Sequence, residues 1–439
     1  MRVGIFWPLF GAVLALMVAG IVLGLVSVGP AAWLIGFSYI AYDSWILGRM
    51  VWGSWRLPRR EGVPAGSRLT VTVVVCARNE RVILPSCLES LAAQDEPAEE
   101  IIVLDDGSTD GTAAWMAAAW PGLRLVSQPH SGKAAALNRG WRAAREELVL
   151  TLDADTRPEP GALRAVRDAF AADPALTAAG GVLFPHCRPA PGGQLFAFFQ
   201  KFEYLRSYLW RAVWARGEML LLVSGAFAIY RREALEALGG FDAKSWVEDY
   251  DLVYRLYRHA GDRGLPWKVG VVAGARAVTD APAAFRPFLH QRTRWFAGFL
   301  DTLFQAREMV GNGRYGAMGR RMLPMKVVDT LLPLYALLAL LLLAYLLLSG
   351  SAWSGPILAV LLAKFLYDIL LHAAAIGLFQ RWQGLPQSPA LWFQALAATV
   401  TEPFFFQILR HLGAFLGWIA FLRRRVHWTP QREVSTGNP

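Results

Sequence analysis

Two carboxylates stand one residue apart in Asp153-Ala154-Asp155, at the end of the apolar run Leu148-Val149-Leu150-Thr151-Leu152. So short an apolar run reads as a strand covered on both faces, the habit of parallel sheets. Side chains alternate along a strand, so the two acids point the same way if the extended geometry persists to Asp155. Open α/β sheets bind ligands beyond the carboxyl ends of their strands. Neighbouring carboxylates there repel unless a cation lies beside them, and Mg²⁺ prefers oxygen ligands shared with a substrate phosphate. Taken alone, Asp-x-Asp reads more often as a solvated turn. Further stretches could carry chemistry: Asp105-Asp106-Gly107-Ser108, Ser131-Gly132-Lys133, Glu248-Asp249 and Gln291-Arg292-Thr293-Arg294-Trp295. Acids in a helix's first turn are ordinary dipole partners, so Glu248-Asp249 alone is weak as well.

The elements that would position these residues follow a rhythm. A β-branched run over 69–76 predicts a first strand, ended by Ala77-Arg78-Asn79-Glu80, and helical spacing follows over 82–93. A second buried strand over 101–104 runs into the Asp105 stretch, and the helix after it is expected to be capped by Thr109 or Asp110. A third strand is expected at 123–126, a helix from Ser131-Gly132-Lys133 to Ala143, and then the strand ending at Asp153. Such alternation is that of βαβ units, so this half reads as doubly wound. No Gly-x-Gly-x-x-Gly or Walker loop follows any strand, which argues against a dinucleotide fold and a P-loop ATPase. Because the strand ends are acidic, a nucleotide diphosphate would need a bridging cation. The stretch over 193–217 is aromatic and basic, and reads equally as a helix at a membrane face or as core. Val223–227 reads as a strand whose Gly225 lets something approach the backbone.

The chain has 439 residues, 55% hydrophobic, and a net charge of +10, with mean hydropathy +0.33. The apolar excess gathers at 5–28, 31–51, 323–348, 356–379 and 389–422, each long enough for the ~20 residues a spanning helix needs. Basic residues cluster at the ends of these segments: Arg49, Arg56, Arg59 and Arg60, then Arg320-Arg321, then Arg423-Arg424-Arg425, the pattern of a cytoplasmic side. Charge that tracks helices in this way argues against nucleic acid as a partner. The first segment lacks the cleavage pattern of a secretory signal. Cys76, Cys87 and Cys187 show neither metal-ligand spacing nor a disulfide framework, in keeping with a reducing cytoplasm. The expected organisation is two N-terminal transmembrane helices over 1–56, a basic linker over 57–68, an α/β domain with interfacial helices over 69–310, a C-terminal membrane region over 311–425 and a polar tail over 426–439. The last apolar run holds Glu402-Pro403 and Arg410-His411, and a broken pair of helices is expected there.

In order and spacing, residues 71 to about 305 resemble the family-2 glycosyltransferases of GT-A fold, in their membrane-embedded branch that includes hyaluronan, chitin-oligosaccharide and poly-N-acetylglucosamine synthases. The resemblance rests on Asp105-Asp106-Gly107-Ser108, Gly132-Lys133-Ala134 with Leu137-Asn138, Asp153-Ala154-Asp155, Glu248-Asp249 and Gln291-x-x-Arg294-Trp295. It implies a Rossmann-like mixed sheet inserted between membrane helices, and an inverting, metal-dependent transfer from a UDP-sugar. Asp106, with Ala77, Asn79 and Glu80 nearby, would hold the uridine, and Lys133 would reach the diphosphate. Asp155 would bind Mg²⁺ or Mn²⁺, and Asp153 would contact the donor sugar or the metal shell. Asp249 would be the general base, Gln291 and Arg294 would clamp the diphosphate, and Trp295 would offer a face to the acceptor sugar. Val247 departs from the usual Thr before Glu-Asp, and the Phe-x-Val-Thr-x-Lys signature of bacterial cellulose synthases is absent. The implied acceptor is a growing β-linked polysaccharide or oligosaccharide, N-acetylglucosamine the first sugar to consider, with export and a small membrane subunit as further expectations. One sugar moved to a membrane lipid is the alternative, and a membrane scaffold with an inactive transferase domain is the reading from another class.

Overall fold

A computed structural model describes residues 5–26, 30–58 and 69–424 of the protein. The linker beyond Pro58 and the polar tail, with Arg59, Arg60 and Arg425, lie outside the described residues. The chain forms two compact units: a helical one, from the segment ending at Leu57 and from Phe288 onward, and an α/β one from Pro58–Pro287.

The helical unit opens with α1 (Phe6–Val26) and α2 (Leu34–Trp55). The α/β unit then runs β1 (Val71–Ala77), α3 (Leu84–Ala92), β2 (Glu100–Asp106), α4 (Thr112–Ala119), β3 (Arg124–Gln128), α5 (Lys133–Ala143), β4 (Leu148–Asp153), β5 (Thr156–Pro158), α6 (Ala162–Ala172), β6 (Leu176–His186), α7 (Gly193–Arg216), β7 (Phe227–Arg231), α8 (Arg232–Leu238), α9 (Glu248–Arg263) and β8 (Lys268–Asp280). All eight strands join one sheet in the order β3-β2-β1-β4-β7-β6-β8-β5. The first four are parallel, whereas β7 runs antiparallel between β4 and β6. Val71, Val73, Val74 and Val75 of β1 and Leu148, Val149, Leu150 and Leu152 of β4 are buried, as central strands covered on both faces must be.

The expected first four strands are thus present, each within two residues at its start and end. Three differences have physical causes. Extended geometry stops at Asp153, and Ala154-Asp155 turn into β5, so side-chain alternation does not carry to Asp155. The strand expected from Val223 starts only at Phe227. The two longest strands, β6 and β8, escaped the sequence reading because Ala and Gly replace the usual β-branched residues in much of both. The fold needs that smallness: a Cβ on Gly181 would lie 2.3 Å from Phe227 Cδ1 and 2.7 Å from the Ala275 carbonyl oxygen. On α7, Phe196, Phe199, Phe202, Leu205 and Leu209 are buried, so the core reading holds for that face.

The helical unit continues with α10 (Phe285–Gln305), α11 (Leu323–Leu348), α12 (Ser354–Gln383), α13 (Pro389–Thr401) and α14 (Phe406–Leu422). Among the described residues three helices could cross a membrane by length and apolarity: α1, the helix Met318–Leu348 that contains α11, and α12. Together α13 and α14 form a further candidate, bent by 48° at the short turn Glu402–Phe404, where a break was expected. The segment expected to cross second, 31–51, forms α2, but α2 is not in that set. Its polar side chains instead reach three neighbours. Tyr42 Oη donates to Asp329 Oδ1 on α11 at 2.6 Å, and Asp43 pairs with Lys364 on α12 at 2.8 Å. Gln407 Nε2 on α14 donates to Tyr39 Oη at 3.2 Å. Lys364 also pairs with Asp368, and Arg410 with Glu402 at 3.1 Å.

Gly140 sets the height of α5 above the sheet. A Cβ there would sit 2.5 Å from Val74 Cγ1 and 2.7 Å from Leu104 Cδ1, on β1 and β2. Gly140→Ala should therefore push α5 outward and cost about 1–3 kcal/mol, as overpacking does. Denaturant unfolding of the detergent-solubilised protein reads that loss, and an unchanged midpoint would mean the helix has slack.

Candidate active site

The carboxyl ends of β3, β2, β1 and β4 lie side by side, with Gln128 opposite Asp106, Asp105 opposite Ala77, and Cys76 opposite Asp153. The loops leaving β1 and β2 are laced together. Asn79 adopts φ +56°, a region Asn tolerates better than most residues. Its Oδ1 accepts from the Thr109 amide at 2.8 Å, and its own amide donates to Ser108 Oγ at 2.9 Å. The Glu80 amide donates to Thr112 Oγ1 at 3.1 Å. Ala77 lies opposite Asp105, and Asn79 and Glu80 are tied to the loop that follows Asp106. For the next helix, Asp110 Oδ1 accepts from the Thr112 amide at 3.0 Å, while Gly111 takes the cap position.

Asp106 is buried, and its carboxylate is engaged by the protein itself. Oδ1 accepts from Gln128 Nε2 at 2.8 Å and from the Ser131 amide at 2.9 Å. Oδ2 bonds His130 Nδ1 at 2.8 Å and the Gly132 amide at 3.0 Å. A carboxylate has about four acceptor sites, so these contacts use its capacity. Burial alone would raise its pKa, but the four hydrogen bonds outweigh that and hold it below the usual aspartate value. Asp106, which the resemblance assigns to the uridine, here ties down the loop that leads into α5.

That loop delivers Lys133 to the first position of α5. A cation is unfavourable at a helix N-terminus, where the dipole is positive, so nearby anions must compensate. Lys133 Nζ lies 2.5 Å from Asp153 Oδ1 and 3.5 Å from Glu248 Oε1. Burial works against the ammonium, but Asp153 and then Glu248 outweigh it and hold Lys133 above its usual pKa. Asp249 stands beside them at the start of α9, its Oδ2 accepting from the Gly225 amide at 3.1 Å. What approaches Gly225 is now identified: a Cβ there would lie 3.4 Å from Lys133 Nζ and 3.6 Å from Asp249 Oδ2. Asp155, in the turn after β4, has Oδ1 at 3.4 Å from both Thr156 Oγ1 and Thr279 Oγ1.

Asp153, Glu248 and Asp249 thus surround or adjoin one ammonium, an excess of negative charge suited to a hard cation. Among the described residues no three His, Cys, Asp or Glu side chains form a ready-made ligand set. Gln291, Arg294 and Trp295 lie on α10 and belong to the helical unit, so the α/β unit builds its cluster without them. Gln291 is buried, and one face of Trp295 carries the Arg292 guanidinium at 4.7 Å. Sequence reasoning left out Gln128 and His130, the partners of Asp106, and gave Glu248 no task. The sequence signal was a histidine, one of seven in the chain, three residues before Lys133.

The mixed sheet, its acidic strand ends and the apolar helices before and after it in sequence define a GT-A glycosyltransferase architecture. Residues 72–239 match the family described as Glycosyl transferase family 2. That match covers the strand ends, Lys133 and Gly225, whereas Glu248, Asp249 and the α10 motif lie beyond it. The chain is similar to β-monoglucosyldiacylglycerol synthase of Synechocystis sp., 28% identical over 243 residues, which is 52% of this chain and 47% of that protein. It is similar to poly-β-1,6-N-acetyl-D-glucosamine synthase of Staphylococcus aureus, 24% identical over 278 residues, 62% of this chain and 63% of that protein. The matched stretch thus spans about half to under two thirds of these relatives' lengths. Among solved structures, the mannosyltransferase PcManGT of Pyrobaculum calidifontis, in complex with GDP-Man and Mn²⁺, shares the fold with TM-score 0.57 at 22% identity, over 91% of this chain and 99% of its own.

The Asp106 clamp has a pH signature. A carboxylate whose folded pKa is depressed stabilises the fold above its unfolded pKa of about 4, and that stabilisation is lost as pH falls through the folded value. Asp106→Ala is expected to cost about 2–4 kcal/mol at pH 7, since hydrogen bonds to a buried charge are removed. Unfolding of wild type and variant between pH 7 and pH 3 should show the gap closing at the acid end. A gap constant with pH would deny the clamp its charge.

Proposed function

We propose that the protein is an inverting, metal-dependent glycosyltransferase at a membrane, moving a sugar from UDP to a growing β-linked polysaccharide or oligosaccharide. The observation that carries this reading is the Asp249 carboxylate fixed by the Gly225 amide beside the Lys133–Asp153–Glu248 cluster. Asp249 takes the proton from an acceptor hydroxyl as that oxygen bonds to the anomeric carbon and the carbon–UDP bond breaks. Attack from the side opposite the leaving group converts an α-linked donor into a β-linkage. Lys133 exchanges part of its ion pairing for the donor's diphosphate, and Ala77, Asn79 and Glu80 receive the uridine. A divalent cation, held by Asp155 with Asp153 beside it, would neutralise charge on the departing UDP. The Mn²⁺ in the solved relative's complex supports that choice. Gln291 and Arg294 are assigned to the diphosphate, and Trp295 to the acceptor, by motif likeness. The basic residues at the helix ends support a cytoplasmic side for the α/β unit.

For the acceptor, the polar contacts of α2 with α12 and α14 support a glycan, because hydroxyl-rich chains need polar partners within an apolar bundle. A second reading, one sugar placed on a lipid, is supported by the likeness to the Synechocystis glycolipid synthase. Turnover with UDP-N-acetylglucosamine, UDP-glucose and GDP-mannose, with products sized by mass spectrometry, separates them: a ladder of lengths against a single added sugar.

Asp249→Asn keeps the shape and removes the proton acceptor, so transfer should fall about 10²–10⁴-fold. UDP affinity should stay close to wild type, and Glu248→Gln should lose less. Near-normal transfer by Asp249→Asn would move the base elsewhere. Chelation, or Asp155→Ala, is expected to abolish turnover and to weaken UDP binding. Full activity in excess chelator would remove the metal from the mechanism.

A further inference from the structure

Lys133 and Asp249 sit at the starts of two different helices, and besides the Lys133–Glu248 pair a second connection bears on their separation. Asn138, further along α5, makes that connection. Its Nδ2 donates to the Phe241 carbonyl oxygen at 2.7 Å, and its Oδ1 accepts from the Phe241 amide at 2.8 Å. One side-chain amide therefore pairs both backbone groups of a single residue, as a neighbouring strand would. Oδ1 also accepts from Trp141 Nε1 at 2.9 Å. The approach is close enough to need glycine next door. Gly240 has φ +83°, and a Cβ on it would fall 2.3 Å from Asn138 Oδ1.

The same turn is held from the other side by Arg255 of α9. Its Nη1 donates to the Leu238 carbonyl at 3.1 Å and its Nη2 to the Gly240 carbonyl at 2.6 Å. Its Nε meanwhile binds Asp251 Oδ2 at 2.7 Å, within α9's first turn. A continuous mechanical path thus runs from Lys133 through Asn138 and the turn Leu238–241 to Arg255, and so to Asp249.

We propose that Asn138 is a positioning residue for the transfer step: its amide clamp on Phe241 sets the distance between the Lys133 ammonium and the Glu248–Asp249 pair. This inference rests on Asp249 being the base. The chemistry specifies asparagine, because one planar group must donate and accept at once. Aspartate keeps the two accepted bonds, loses the donated one, and sets a carboxylate oxygen against the Phe241 carbonyl. Glutamine has both functions but is one methylene too long.

Asn138→Asp is expected to lower kcat about 10–100-fold, the scale of a misplacement near 1 Å, while the KM for UDP-sugar and the affinity for UDP stay within about two-fold. The acid limb of the kcat–pH profile should move to higher pH, because a base further from an ammonium ionises less readily. Trp141→Phe removes only the third bond to Asn138, and should leave kcat and the pH limb unchanged. If the aspartate variant is too unstable to assay, Arg255→Lys loosens the same turn from α9 and should give the same loss confined to kcat. A folded Asn138→Asp or Arg255→Lys enzyme with wild-type kcat overturns the proposal. So does a parallel fall in kcat and UDP affinity, or an equal loss in Trp141→Phe. Inactive Asp249→Asn with normal Asn138→Asp defeats the positioning role alone, whereas active Asp249→Asn defeats the base assignment beneath it.

Discussion

An ammonium ion at the first position of a helix, half enclosed by protein, is stable only if anions meet it there. Lys133 meets two, from β4 and α9, and the architecture of the α/β unit can be understood as what it takes to bring them together. The parallel strands place Asp153 at the carboxyl-terminal edge of the sheet, where β4 ends. Gly140 lets α5 lie low enough on β1 and β2 for its N-terminus to reach that edge. The Asp106 carboxylate then fixes the loop before α5, and so the direction from which the lysine enters. Without those constraints the carboxylates would repel one another, and α9 would have no reason to begin where it does.

The same electrostatics relate to the reaction. Lys133 is held by partners of opposite charge that a diphosphate can replace, so its pairing is exchangeable in a way a buried hydrophobic contact is not. Asp249, by contrast, accepts from two backbone amides, that of Gly225 at Oδ2 and that of Tyr250 at Oδ1. Two acids adjacent in sequence, Glu248 and Asp249, thus meet different partners, an ammonium and backbone amides. That difference supports the proposal that Asp249 rather than Glu248 is the base.

Much of this was legible in the sequence, for reasons that differ by element. The strands β1, β2 and β4 announced themselves by unbroken apolar runs ending in acids, and Gly225 by its place within a strand-like stretch. The strands β6 and β8 did not, because Ala and Gly lower the pattern's contrast where Phe227 and the Ala275 backbone press against β6. The Asp106 clamp was not legible either. Its donor Gln128 ends β3, while His130, Ser131 and Gly132 lie in the loop after it, where no periodicity exists to be read, and two of the four bonds come from backbone amides. The change of direction after Asp153 was equally hidden, since a strand's alternation says nothing about where it ends.

The partners of α2 have a consequence for how the protein is made. Tyr42 bonds Asp329, 287 residues further along, and Gln407 reaches Tyr39 across 368. During synthesis α2 therefore leaves the ribosome long before any of its polar partners exists. A lone helix carrying Asp43 and Arg49 is a poor candidate for early, independent insertion, each charge costing about 2.5–3.5 kcal/mol at the centre of a bilayer. Its polar contacts with α11, α12 and α14 form only after those helices have followed, so a segment made early is seated late. Shortening the chain before α14 would take Gln407 away from Tyr39 and so loosen a helix made hundreds of residues earlier.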